Sequence, residues 1–353
     1  MLNRTNVFLA ALLAVQVALL AVSVVTTTGT ETRTVTPILS GIAIADVERL
    51  LIADNLENEM SFARGDGGWV LPDADDFPLD SAKIDDTLAK LAAMDTRRLV
   101  AANPANFARL EVKDDDFRRR ITLQADASST VLYLGGSGGA NTVYVRRADE
   151  NAVYLGSGLS AWELSTQIST WLNAEYVSVP GDDVLEITVT RADVQFNFLR
   201  NGEGWTYGGL SEGEVFEDTR MPLVLRNAAT IRMQAPLGLG ALAEYGLDDP
   251  PVVVDVRYRQ LVEAPAEDGD ETAEDEAATG DEPDAAPEFT EATYTLTFGA
   301  TMADGDVVLK SSDAEYYVLV RDTVLNAFTN LVHDELVRLP APDAEQAPES
   351  SGE

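Results

Sequence analysis

Apolar and polar residues alternate in short runs along most of the chain, the period expected of half-buried strands. Arg49-Leu-Leu-Ile52, Arg120-Ile-Thr-Leu123, Val131-Leu-Tyr-Leu134, Val143-Tyr-Val145 and Val153-Tyr-Leu155 are such runs. Gly135-Gly-Ser-Gly-Gly139 lies between two of them and predicts a hairpin with a flexible turn. Helical spacing is rarer. Ile84, Leu88 and Leu91 fall at i, i+4 and i+7, with Asp85 and Lys90 outward, and Asp80 or Ser81 can cap the start. Ser160 is expected to lead into a second helix with Leu164, Ile168, Trp171 and Leu172 on one side. Val324 to Leu336, with Leu325, Phe328, Leu331 and Val332, is expected to form a last one. The pattern predicts an α+β fold of antiparallel β-rich sheets with one or two helices packed on each.

The pattern also occurs twice. Phe62-Ala-Arg64-Gly-Asp-Gly-Gly68-Trp69 recurs as Phe198-Leu-Arg200-Asn-Gly-Glu-Gly204-Trp205, with Phe, Arg, Gly and Trp moved by one constant shift. Asp46-Val47 and Asp183-Val184 accompany the two copies, and Arg49 to Ile52 is matched by Leu185 to Val189. Thr96-Arg-Arg98-Leu99 returns as Thr230-Ile-Arg232-Met233, and Phe107-Ala-Arg-Leu110 has a looser counterpart in Tyr245-Gly-Leu247. Thr130 to Gly135 then matches Thr293 to Gly299 at a larger shift, so the second copy carries an extra loop. A register kept over this length reads as a duplicated module. The organisation expected is an anchor at 1–25, a tether at 26–40, a first module at 41–172 and a second at 173–339. An acidic stretch without Lys or Arg, 263–291, interrupts a hairpin of the second module, and both it and the tail at 340–353 are too polar to order themselves.

The N-terminus bears on location. Val7 to Val25 is apolar apart from Gln16 and Ser23, and as a helix it spans roughly 28 Å, near the thickness of a bilayer core. Arg4 precedes it and Glu31 is the first charge after it, so the expected orientation is N-terminus cytoplasmic, a single pass through the inner membrane, and the bulk periplasmic or otherwise extracytoplasmic. Ala21-Val-Ser23 is the alternative, a cleavage site.

Composition narrows the chemistry. A formal charge of −35 and a pI near 4.1 argue against a nucleic-acid partner, which needs a basic face. The absence of cysteine removes thiol catalysis, thiolate metal sites and disulfides together. Gly135-Gly-Ser137-Gly-Gly139 formally fits the nucleophile-elbow pattern, but a strand follows it where that motif needs a helix, and the sole histidine, His333, is expected far away on a helical surface. Asp114-Asp-Asp116 beside Arg118-Arg-Arg120 reads as a charged turn rather than an acid/base pair. No phosphate loop, dinucleotide fingerprint, zinc motif or calcium loop is present, so no catalytic residue, cofactor or metal site is expected.

That leaves the signature itself: Phe62, Arg64, Gly68, Trp69 and their partners Phe198, Arg200, Gly204, Trp205. Gly67-Gly68 and Gly204 are expected to make left-handed turns, with Phe and Trp facing the core. Arg64 and Arg200 are expected on the opposite face, snorkelling or pairing with an acid. The favoured role is a hairpin staple, and the alternative is a binding surface with Trp and Arg anchors.

Asp-Val-initiated strands, the Gly68-Trp69 turn, Phe77-Pro-Leu-Asp80 leading into the Ile84/Leu88/Leu91 helix, and Tyr245-Gly-Leu-Asp-Asp-Pro250 together resemble the bacterial domain-of-unknown-function 4340 family. The resemblance implies an accessory subunit outside the membrane, since members often occur beside ABC transporter components of the gliding-motility type. The partners it implies are an ABC transporter permease or other envelope proteins. It supplies no catalytic residues. Copy one departs from the Tyr-Gly-Leu-Asp-x-Pro pattern, with Phe107-Ala-Arg-Leu110-Glu and no proline following. Two other functions stay open: a non-catalytic module binding an envelope glycan or peptide, and a carboxylate-dependent envelope hydrolase.

Overall fold

The structure, a computed structural model, describes Gln16 and residues 35–126, 128–192, 194–262 and 288–339. The expected anchor (Gln16 apart), most of the tether, residues 263–287 of the acidic insertion and the tail from 340 lie outside the described residues. Among the described residues no helix is long and apolar enough to cross a membrane.

Strands β1 (Arg49–Ala53), β2 (Glu59–Gly65), β3 (Gly68–Leu71) and β4 (Phe77–Pro78) precede helix α1 (Ser81–Ala92). Next come β5 (Leu99–Ala101), the single turn α2 (Phe107–Leu110), a small hairpin of β6 (Val112–Lys113) and β7 (Asp116–Phe117), and β8 (Arg119–Ala125), β9 (Ser128–Leu134), β10 (Thr142–Arg147) and β11 (Val153–Ser157). The middle of the chain holds β12 (Glu175–Ser178), β13 (Val184–Arg191), β14 (Val194–Asn201), β15 (Gly204–Tyr207), β16 (Val215–Phe216), helix α3 (Met221–Ala229), β17 (Thr230–Arg232) and β18 (Ala235–Gly238). Last are β19 (Val252–Leu261), β20 (Phe289–Thr301), β21 (Val307–Ser311), β22 (Tyr317–Val320), helices α4 (Asp322–Thr329) and α5 (His333–Leu336), and β23 (Val337–Arg338). The fold is α+β and β-rich, as the alternating pattern predicts.

The chain divides into two compact units, Met1–Glu59 with Asp85–Thr166, and Met60–Ile84 with Gln167–Glu353. In the first, the strands run in the order β1-β8-β9-β10-β11-β5. Period-2 burial sets which side chains face the core: Ile121, Leu123 and Ala125 of β8 are buried while Thr122 and Gln124 are half-buried between them. A satellite core forms around α2 and the β6–β7 hairpin from Phe107, Leu110, Val112, Phe117, Tyr133 and Val153. At its centre lies Arg146, only 2% exposed, whose guanidinium sits 4.5 Å from the Phe107 ring and 4.6 Å from that of Tyr133. Its Nε donates to the Val112 carbonyl at 2.8 Å, Nη1 donates to the Arg147 carbonyl at 3.3 Å, and Nη2 pairs with Asp114. A buried charge persists only when it is satisfied in this way.

In the second unit the order is β15-β14-β13-β19-β20-β21-β22-β18. Residues 60–84 and 167–172 fall in this compact unit, while the strand order β4-β3-β2-β1-β8-β9-β10-β11-β5 keeps the hairpin β2-β3-β4 with the strands of the first module expected at 41–172. Within the unit, Phe62 packs on Trp171 at 5.5 Å, the Asp80 N–H donates to the Trp171 carbonyl at 2.8 Å, the Leu239 N–H donates to the Asp75 carboxylate at 2.7 Å, and Phe77 meets Tyr316 edge-on at 4.8 Å. β19 and β20 pair continuously from Val252↔Phe298 to Leu261↔Phe289. Phe289, Thr290 and Glu291 are therefore strand residues, contrary to the bounds expected for the insertion. Arg257 holds Glu291 at 2.8 Å and the Arg259 guanidinium covers the Phe289 ring at 5.3 Å.

Two expected helices differ. Residues 161–172 form two short 3-10 turns, Ala161–Glu163 and Ile168–Thr170, which bury Leu164, Trp171 and Leu172 without a helix. Ser165, Thr166, Ser169 and Thr170 in this stretch are weak helix formers, and the Thr166 hydroxyl donates to the Asp54 carboxylate at 3.0 Å. The stretch Val324–Leu336 is split into α4 and α5, with Val332 exposed between them. The Arg191 guanidinium donates to the carbonyls of Thr329 and Leu331, the latter at 2.9 Å, and so caps the end of α4.

Candidate functional site

The doubled signature builds two hairpins. β2 and β3 pair Arg64 with Trp69, and β14 and β15 pair Arg200 with Trp205. Phe62 and Phe198 are fully buried. The arginines lie on the aromatic face, not opposite to it, because residues two apart on a strand share a face. Each guanidinium stacks on its cross-strand indole, at 4.5 Å for Arg64 on Trp69 and 4.7 Å for Arg200 on Trp205. Among the described residues Arg200 pairs with no acid, and it donates to the carbonyls of Val184, at 2.6 Å, and Gly181. Gly68 takes φ +131° as expected; in the second copy the left-handed residue is Gly202, φ +60°, rather than Gly204. The Trp69 N–H donates to the Ser81 hydroxyl at 2.8 Å, while Asp80 caps α1 by accepting from the Lys83 N–H at 3.1 Å, so turn and helix start are joined.

Other candidates fall apart from one another. The Ser137 hydroxyl donates to the Gly139 carbonyl at 2.5 Å within its own turn. His333 is not a bare surface residue: its Nδ1 is 3.3 Å from the Tyr207 hydroxyl and its Nε2 3.2 Å from the Glu214 carboxylate. Burial pushes the Tyr207 hydroxyl up, and the Ser211 backbone N–H is the main group holding Glu214 down. Asp114 and Asp115 each pair with a cation, Arg146 and Lys113 respectively, consistent with a charged turn. Among the described residues no cluster of acids and histidine could hold a metal ion.

One cleft lies in the first unit and involves a residue outside every expected motif. Of the chain's four tryptophans, Trp69 and Trp171 are buried and Trp205 half-buried, whereas Trp162 is 75% exposed. It stands at the mouth of a cavity of about 320 Å³ whose polar lining is Asp54, Asn55, Glu111, Asp116, Arg118 and Arg119. A smaller depression, about 160 Å³, flanks Trp162 as well, with Ser137, Thr142 and Ser160 in its wall and Arg118 common to both. The turn that presents the indole is stapled. Ser160 and Glu163 form a capping box, with the Ser160 N–H donating to Glu163 Oε1 at 2.9 Å and the hydroxyl at 3.0 Å. Lys90 Nζ holds the other carboxylate oxygen at 3.2 Å.

Asp54, Glu111, Arg118 and Arg119 in the cleft already have hydrogen-bonding partners. Arg118 Nε donates to Glu111 at 2.7 Å and its guanidinium lies 5.8 Å from the Trp162 ring. Arg119 Nε donates to the Leu164 carbonyl at 2.5 Å, and burial pushes its guanidinium down. Burial works against the Asp54 charge as well, but hydrogen bonds from Asn58, the Leu56 N–H and Thr166 outweigh it and hold its carboxyl below the usual range. A Ser-x-x-Glu box with Trp at its apex, off any apolar period, was the available sequence signal for this site.

The fold and the site define an antiparallel α+β protein whose repeated aromatic signature is built into its sheets and whose most accessible aromatic lies elsewhere. The chain belongs to the family described as Domain of unknown function (DUF4340), which matches it over residues 69–250. Comparison with curated proteins and with solved structures finds no match.

Proposed function

We propose that the chain is a membrane-anchored, extracytoplasmic protein of two diverged copies of one module, acting as a non-catalytic accessory subunit of an ABC-type transport complex. Family membership carries this reading, through the transporter neighbourhood that the resemblance implies. The apolar run Val7–Val25 behind Arg4 supports the anchor and its orientation. Matching strand orders support the duplication: β1-β8-β9-β10-β11-β5 corresponds to β13-β19-β20-β21-β22-β18, and the hairpin β2-β3 to β14-β15. So does a shared close approach. A Cβ on Gly135 would lie 1.9 Å from the Leu110 carbonyl, and one on Gly299 would lie 2.0 Å from the Tyr245 carbonyl. The residues after those carbonyls, Glu111 and Gly246, both adopt positive φ, 56° and 64°. The Tyr245-Gly-Leu segment is thereby explained as a turn that the sheet must accommodate.

Purification of the full chain from detergent-solubilised membranes at native expression tests the proposal. Transporter subunits are expected to co-purify; their absence from a sample rich in the chain itself would refute it. The second reading, a module that binds an envelope ligand, is favoured by one observation, the exposed Trp162 beside a polar cleft.

A further inference from the structure

The geometry points to a saccharide-binding site at Trp162, with the indole as a stacking platform for a pyranose ring of a neutral oligosaccharide. The inference rests on the ligand-binding reading just given and does not require a transporter. Three observations carry it. First, a Trp 75% exposed buries little of its ring in the fold, yet its turn is fixed by the Ser160–Glu163 box and by Lys90, so the platform is preorganised. Second, a pyranose offers one face of C–H groups and a rim of hydroxyls. The former suits a flat aromatic, and the latter need planar donors and acceptors around the adjoining cavity, where Arg118 donates, Asn55 does both and the carboxylates of Asp54, Glu111 and Asp116 accept. Third, depressions of about 320 and 160 Å³ flank the same indole, room for more than one sugar unit along it.

Charge decides against an anionic ligand. The lining carries the carboxylates of Asp54, Glu111 and Asp116 against the guanidinium groups of Arg118, which pairs with Glu111, and Arg119, which donates to backbone carbonyls. Leu56, Phe117 and Ala161 also line the cavity beside the indole, so binding of a peptide is the competing outcome of the test.

Isothermal titration of the purified full chain with chitotetraose, cellotetraose and maltotetraose tests this, with tetralysine and tetraalanine as peptide controls. At least one tetrasaccharide is expected to bind at millimolar concentration or below, Trp162→Ala to weaken it by about tenfold or more, and Trp162→Phe to retain most of the affinity. Trp162 is exposed, so both variants should melt with the parent, and a matched melting curve removes misfolding as an explanation. Failure of all three saccharides to bind, equal binding by Trp162→Ala, or binding of a peptide control alone would each overturn the proposal. A null titration leaves the transporter reading untouched, since co-purification decides that one.

Discussion

Arg146 shows how much one residue can organise. It bridges two aromatic rings, the Val112 carbonyl and Asp114 while almost wholly buried, so Arg146→Ala leaves orphaned partners and a void together. Chemical denaturation should show a loss of roughly 3 kcal/mol. The two signature tryptophans make a sharper comparison, because they share a motif and differ in burial. Trp69→Ala is expected to cost about 3–5 kcal/mol, as for a large core aromatic, and Trp205→Ala, half-exposed, less than about 2 kcal/mol. Equal losses would contradict the staple role assigned to buried Trp69. Asp54 supplies a pH dependence. Its carboxyl lies below the usual value when folded, so its contribution is present above that value and disappears as pH falls through the folded one. The stability gap between the parent and Asp54→Asn should therefore be widest near neutral pH and close as pH drops below about 4.

Elements were legible to the extent that their period was. The strands and α1 follow from alternation and from Ile84, Leu88 and Leu91, all fully buried. The stretch 161–172 misled because its apolar spacing suits a helix while its Ser and Thr residues suit turns, and the turns won. The interruption between α4 and α5 was invisible locally, since its cause, Arg191, lies on β13 far away in sequence. Trp162 escaped for a related reason: exposure of a single aromatic leaves no periodic trace. The capping box that holds it should be measurable. Glu163→Ala removes the box and the Lys90 contact, with an expected loss of about 1 kcal/mol in thermal or chemical unfolding. Faster amide exchange confined to residues 160–166 should accompany that loss. An unchanged exchange pattern would mean that the turn is held by packing of Leu159, Ala161 and Leu164 instead.

At the scale of the whole molecule, the Phe-x-Arg-x-x-x-Gly-Trp signature and its register point to a duplicated module, and they do not anticipate the grouping by contact of residues 60–84 with the later chain. That grouping depends on tertiary contacts of Asp75, Phe77 and Trp171 that no spacing encodes. In the function proposed above, the two modules are a scaffold presenting surfaces outside the membrane to a transport complex. Photo-crosslinking in intact cells at native expression probes this most directly, with the crosslinking amino acid placed at exposed positions such as Leu99, Leu239 and Val332. The account predicts adducts to an ABC permease or its associated membrane subunits from at least one position. Abundant, membrane-associated chain that yields no such adduct from any of them would contradict it.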